Sequence, residues 1–396
     1  MKRKVGEYVT QTVAGENFKA YLPAPLPPDP PLVLETELLQ RMDQANRALG
    51  RLDGISQVWP NPGHFLNQLL YQYVRKEAVL SSQIEGTQSS LSDLLLYELE
   101  ETPGVPLDDV REVSSYVAAL THGLTRLREG FPLSLRLLRE IHGILLGHSH
   151  RGGRGADKSP GEFRRSQNWL GGTRPGNAVF VPPPPERLMG CLDPFEHFLH
   201  DEPEPMPSLI KAALAHVQFE TIHPFLDGNG RLGRMLITLL LCHDKVLSEP
   251  SLYLSLYFKT HRTEYYDHLQ RVRLDGDWEG WLHFFLTGVT ETAREATDAA
   301  QKLWVLFDKD RRRIQELGKI AGTALRVLDL LQQRPIISIT AACQALDLSH
   351  PAVNKSLHKL EEMKVVKEIT GRQRNRLYLY EAYMNILNEE LEPPAG

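Results

Sequence analysis

The chain has 396 residues, 41% hydrophobic and 24% charged, with a formal net charge of −5. These are ordinary globular values for roughly two or three domains, so wholesale disorder is excluded, and no overall charge pulls the protein toward nucleic acid. Three widely spaced cysteines, Cys191, Cys242 and Cys343, exclude a disulfide framework and a zinc knuckle.

The N-terminal MKRKVGEYVTQ is basic, but no apolar core succeeds it as in a signal peptide. No stretch approaches the ~18 uninterrupted apolar residues of a membrane span. The expectation is a soluble, cytoplasmic protein without a membrane partner.

Residues 1–35 end in YLPAPLPPDPPL and read as a proline-rich strap. Residues 36–110 read as an N-terminal helical region. Leu66, Leu69, Leu70, Tyr73, Val74, Leu80 and Ile84 recur at three- and four-residue intervals on one amphipathic face. At the end of that face SSQIEG places Ser81 and Glu85 four apart, hence on one side of a helix, with Gly86 as its stop. Residues 111–300 form the expected core. Within it, glycine, proline and polar residues dominate between Gly147 and Pro185, where NWLGG and AVFV predict a hairpin in a long functional loop. His148 and His150 in this loop lack a third metal ligand and read as loop histidines.

Helices are expected at 186–200 and 208–222, then at 232–242, where LGRMLITLLLC is apolar nearly all round and marks a buried central helix. Residues 301–318 read as a connecting helix, and 319–396 as a winged helix-turn-helix: helix, short strand, two helices with Ser349 as an N-cap, and a two-stranded wing around TGRQRN. Residues 319–384 carry ten Lys/Arg against six Asp/Glu, a net +4, with Arg372, Arg374 and Arg376 at the wing and Lys355, His358 and Lys359 on the presumed recognition helix. DNA contact and protein docking or dimerisation both fit this module.

The densest stretch is HPFLDGNGRLGR, residues 223–234. Gly228, Asn229 and Gly230 fall where a loop turns into a helix, so free N–H groups and missing side chains make an anion site. Arg231 and Arg234, three apart in the first turn, oppose the helix dipole unless an anion binds there, and guanidinium forks suit phosphate oxygens. Asp227 is placed to hold Mg²⁺ together with phosphates, and His223 to accept a hydroxyl proton. Base, metal ligand, amide nest and two arginines suffice for phosphoryl or nucleotidyl transfer.

These twelve residues resemble the Fic-domain motif, HxFx(D/E)GNGRxxR, at every specified position, and SSQIEG resembles the (S/T)xxxE(G/N) inhibitory helix of such proteins. The resemblance spans roughly residues 60–290. It implies a mainly α, Fic-type helical fold with a β-hairpin flap, beside the C-terminal winged helix-turn-helix. It also implies transfer of AMP from ATP to a Ser, Thr or Tyr hydroxyl of proteins, the chain itself included. Carried over, His223 is the general base and Asp227 binds Mg²⁺. Gly228, Asn229 and Gly230 hold the α-phosphate region, and Arg231 and Arg234 the β- and γ-phosphates. Tyr265, Tyr266, Leu170, Gly171 and Val179 line the adenine pocket, although Arg273 stands near a position where the family often has asparagine. Glu85 makes a bidentate pair with Arg234 and displaces the γ-phosphate, while Arg231 is left for ATP. The flap docks the protein substrate. Removal of AMP or transfer of another nucleotide at the same site remain open, as does a DNA-binding regulator with a nucleotide-sensing core. A homodimer is also left open.

Overall fold

The computed structural model of the chain describes residues 3–13, 15–58, 62–99, 104–147 and 158–389; His148 and His150 lie outside them. Two antiparallel strands, β1 (Gly6–Val13) and β2 (Glu16–Pro23), open the chain. A hairpin thus occupies most of the segment expected to be a strap, and the proline-rich extended chain is confined to Ala24–Glu35. The alternation of the hairpin is legible: Phe18, Ala20 and Leu22 share one buried face of β2.

Helices come next: α1 (Thr36–Val58), α2 (Pro62–Ile84), α3 (Leu91–Glu98), α4 (Leu107–Arg128) and α5 (Leu135–Leu145). The side chain of Ser90 accepts the Asp93 N–H while Asp93 answers to the Ser90 N–H, a capping box that starts α3; Ser134 caps α5. After the long loop come α6 (Leu188–Leu199), α7 (Ser208–Ile222), α8 (Asn229–His243), α9 (Ser255–Thr260) and α10 (Arg262–Asp275). Next is α11 (Trp278–Gln315), capped by Asp277, an unbroken helix of 38 residues that crosses the boundary expected at 300/301. The expected separate connecting helix is therefore the end of this one.

Packing places α7 and α8 at the centre. Every α7 side chain from Leu209 to Ile222 is buried, as is nearly all of α8. A helix apolar on all faces must be covered on all faces, and here α2, α4, α5, α6, α10 and α11 contribute to the cover. Gly123 on α4 permits a close approach: a Cβ there would stand 2.8 Å from Ile141 and 3.0 Å from Leu239.

The C-terminal module has α12 (Ala321–Gln333), β3 (Ile336–Ser338), α13 (Ile339–Leu346), α14 (His350–Glu362), β4 (Lys367–Glu368), β5 (Leu377–Leu379) and α15 (Glu381–Asn388), with sheet order β3-β5-β4. Ser349 stands at the N-cap of α14, as read from the sequence, but without a side-chain hydrogen bond. The fold is mainly α with a winged helix-turn-helix at its end. That end packs on α2, where the Gln72 amide donates to the Gln333 carbonyl at 3.3 Å. No described helix is long and apolar enough to cross a membrane.

Candidate active site

The last residue of the α7 turn is His223, in the left-handed region with φ 50 and ψ 60. A β-carbon makes that conformation costly, by ~1–3 kcal/mol, so its surroundings must enforce it. They do so through Arg164, a buried residue the sequence reading passed over. Its guanidinium donates to the carbonyls of Ile222, His223 and Pro183. It thereby satisfies the orphan carbonyls at the end of α7 and ties the loop ahead of α6 to the same point.

From His223 the chain turns inward. Phe225 is fully buried and stacks on His142 of α5 with ring centres 3.7 Å apart. His142 accepts the Gly161 N–H at Nδ1 and donates from Nε2 to the Asp227 carbonyl, at 2.9 and 3.0 Å. Burial pushes this imidazole down to about 4, against the opposing pull of the Asp227 carbonyl, so it stays neutral as the bonding pattern requires. His142 was also missed; a lone histidine on an apolar helical face gives no sequence signal beyond that of a core residue.

Asn229 spends its side chain on the loop itself. Its Oδ1 accepts the Phe225 N–H at 2.9 Å and its Nδ2 donates to the Phe225 carbonyl at 2.8 Å. Both polar atoms of the Asn229 side chain thus brace the loop from Phe225 to the start of α8. Gly228 begins α8 with φ 75, a conformation that suits glycine, and its N–H meets Asp227 Oδ1 at 2.6 Å. The Asp227 side chain is 44% exposed beside this turn.

Both motif arginines are buried and both are paired. Arg231 reaches Glu112 of α4 at 2.5 Å and Asp227 at 3.6 Å, so the reading that left it without an internal partner is wrong. Arg234 donates from Nε to Ser81 Oγ and from Nη2 to the Ser81 carbonyl, both at 2.9 Å, and from Nη2 to Glu85 Oε1 at 2.7 Å. The Glu85 contact is therefore single rather than bidentate, because Ser81 claims the other edge of the fork. Burial opposes ionisation of Glu85, but the Arg234 charge and hydrogen bond outweigh it and hold the carboxyl below its usual range. Glu85 Oε1 also lies 2.1 Å from where a Cβ on Gly230 would stand. The carboxylate thus rests on the glycine turn at the N-terminus of α8, where an anion is favoured. Gly86 comes next with φ 105, just past the end of α2.

His223 is 9% exposed, and its Nδ1 is buried without a hydrogen-bond partner among the described residues. Burial, then the charges of Arg273 and Arg164, push its imidazole down to about 3. At neutral pH it is uncharged and able to take a proton.

The remaining expected residues fall into two groups. Tyr265 is fully buried with its hydroxyl on His216 Nε2 at 2.8 Å, and His216 Nδ1 in turn meets the Gly233 carbonyl at 2.9 Å. It is a core residue supporting α8 rather than a pocket wall. Tyr266 beside it is 40% exposed. Leu170 and Phe180 form a single antiparallel bridge, with Gly171 and Val179 exposed in the turn it closes. The expected hairpin is present as that one bridge. It is buttressed by the N-terminal hairpin: the Tyr21 N–H donates to the Val181 carbonyl at 2.9 Å, and Glu16 pairs with Arg174 at 3.2 Å. Arg273, buried on α10, lies 4.1 Å over the Phe180 ring and donates to Thr221 and to the Glu220 carbonyl.

No group of three or more His, Cys, Asp or Glu among the described residues could hold a metal by itself. Asp227 suits the other arrangement, one exposed carboxylate next to an anion site, in which phosphate oxygens and water complete a Mg²⁺ shell.

Sequence profiles of three families match the chain: the Fic/DOC family N-terminal region at residues 39–125, the Fic/DOC family at 132–241, and winged helix-turn-helix DNA-binding at 321–367. Protein adenylyltransferase Fic of Aedes aegypti is 30% identical over 260 residues, covering 63% of this chain and 46% of that protein. The same-named protein of Culex quinquefasciatus is 32% identical over 205 residues, covering 51% and 37%. The chain thus spans less than half the length of these curated relatives. A crystal structure of a Fic family protein from Desulfovibrio desulfuricans covers 88% of this chain and 97% of its own, with a TM-score of 0.56 at 18% identity, a likeness of fold. The chain carries the N-terminal and core domains of the Fic/DOC family, joined to a C-terminal winged helix-turn-helix.

Proposed function

We propose that the protein transfers AMP from ATP to a hydroxyl side chain of a protein, and that Glu85 keeps this activity low. The observation that carries the reading is a neutral His223 fixed at the end of α7, next to a glycine turn that opens α8 and is flanked by two buried arginines. The adenylyltransferase names of the relatives support the same chemistry.

In the proposed step, His223 takes the proton from the target hydroxyl. The hydroxyl oxygen bonds to the α-phosphorus, and the bond to pyrophosphate breaks on the opposite side. The N–H groups of Gly228 and Gly230 and the guanidinium groups of Arg231 and Arg234 bind the phosphates. Mg²⁺ would be held by Asp227 and would neutralise phosphate charge. Tyr266, Leu170, Gly171 and Val179 would border the adenine, and the 170–180 turn would pair with the target backbone. Glu85 competes for Arg234 and for the turn at Gly230, so ATP bound alongside it has its phosphates displaced from in-line geometry.

In the Glu85→Gly protein, label from α-labelled ATP should appear on the protein itself, and the further change His223→Ala should abolish it. Persistence of the label in the double variant would remove His223 as the base.

For the winged helix-turn-helix, the DNA-binding description of its family profile and the exposed Arg372 and Arg374 of its wing support duplex DNA as a ligand. Retention on DNA that falls steeply with salt, and is lost in Arg372→Ala/Arg374→Ala, would bear this out; unchanged retention would oppose it.

A further inference from the structure

Glu220 lies one helical turn before His223 on α7, and the step proposed above gives it no task. It is 6% exposed, with Oε2 3.9 Å from His223 Nδ1. His223 Nδ1 and the other carboxylate oxygen, Glu220 Oε1, are both buried without a hydrogen-bond partner among the described residues. Two orphaned polar atoms on facing side chains are unfavourable for stability, which points to a use outside it. The carboxylate is admitted by Gly233, where a Cβ would stand 2.4 Å from Oε1. This accounts for the second glycine of GRLGR, which no phosphate contact requires. The Glu220 carbonyl also faces the imidazole, and Arg273 Nη2 donates to it at 3.1 Å.

We infer that Glu220 is a positioning residue for His223. Its carboxylate accepts the Nδ1 proton and so fixes the tautomer whose Nε2 lone pair faces the target hydroxyl. A shift of about 1 Å in either side chain closes the gap to hydrogen-bond distance. This rests on the adenylyl-transfer reading. In that reaction the hydroxyl proton passes to Nε2, the oxygen joins the α-phosphorus, and pyrophosphate leaves with the electron pair of the broken bond. The imidazolium then sits against the Glu220 carboxylate until Nε2 releases its proton to solvent.

The charged and titratable neighbours are consistent with this. Glu220 faces Arg234 of α8, Arg273 and Tyr265 of α10, and Glu85 of α2; His223 faces Arg273, Arg164 and Glu85. Burial raises the Glu220 carboxyl to about 7 against the pull of Arg234 and Arg273. A cation forming beside it would favour its charged form.

The test uses the full-length Glu85→Gly protein and α-labelled ATP. Adding Glu220→Gln should lower the turnover of self-labelling about 10- to 100-fold while KM for ATP stays within about twofold. If the background protein does not label, the transfer reading fails and this inference falls with it. If it labels and Glu220→Gln matches it, this inference alone is overturned. A second measurement needs no change at residue 220. Nitrogen NMR of the wild-type histidines, with the His223 signal identified by its loss in His223→Ala, should show the proton on Nδ1. A proton on Nε2 would overturn the inference.

Discussion

Glu85 of α2 and Arg234 of α8 meet at 2.7 Å across 149 residues of sequence, with the carboxylate lying against the Gly230 turn. One oxygen thereby occupies two features that suit an anion, a buried guanidinium and a helix N-terminus. Replacing Glu85 with glycine leaves Arg234 buried with Ser81 as its remaining hydrogen-bond partner among the described residues. Because the Glu85 side chain is 37% exposed, solvent screens the loss, and we expect destabilisation of about 1–2 kcal/mol. Saturating ATP with Mg²⁺ should raise the melting temperature of Glu85→Gly more than that of the wild type, since nucleotide then supplies the missing anion. Equal shifts in thermal denaturation would show that Glu85 does not compete with nucleotide.

His223 is held near a pKa of about 3 by burial and by Arg273 and Arg164, so it remains a neutral base far below the usual histidine range. Histidine NMR of the Glu85→Gly protein should show no titration of His223 near 6.5; a titration there would mean an ordinary, solvated imidazole. The same shift bears on stability. The folded form resists protonation of His223, so its contribution is full above the unfolded value near 6.5 and declines as pH falls toward 3.

His142 fixes the Asp227 carbonyl and stacks on Phe225, so His142→Ala should loosen the turn without touching any ligand directly. We expect a stability loss of about 2–4 kcal/mol and a fall in activity approaching 100-fold. Hydrogen exchange of residues 223–230 should rise in the variant. Unchanged protection there would separate His142 from the turn.

Glu77, buried on α2 and accepting the Ser255 hydroxyl and N–H, is raised to about 7 by burial against the lowering effect of those bonds. Its folded form holds a proton more tightly than the unfolded chain. The stability this gives is full below the unfolded value near 4.5 and is lost as pH rises through 7. Glu77→Gln imitates the protonated state. Its stability relative to wild type should therefore increase by about 1–3 kcal/mol between pH 5 and pH 8.5. A pH-independent difference in denaturant unfolding would contradict this.

Much of the site was legible because it is local. HPFLDGNGRLGR carries its base, turn and arginines within twelve residues, and the four-residue spacing of Ser81 and Glu85 placed both on one helix face. The apolar run after Arg234 announced the central helix. What could not be read was tertiary. Nothing in the spacing tells that Arg231 meets Glu112, that His142 braces the turn from α5, or that Arg164 closes α7. The resemblance assigned both Tyr265 and Tyr266 to the adenine pocket, but adjacent residues on a helix face different ways: Tyr265 is buried and Tyr266 exposed. The N-terminal hairpin is written in the alternation of ENFKAYLP, but the proline-rich run directly after it gives the whole segment the composition of an extended strap.

Central to the account is which phosphate of ATP reaches protein. The Glu85→Gly protein, incubated with Mg²⁺ and either α-labelled or γ-labelled ATP, distinguishes the outcomes in one gel. We predict protein-bound label from the α-position, none from the γ-position, and far weaker labelling in the wild type. Label from the γ-position alone, or α-label of equal strength with and without Glu85, would contradict the account.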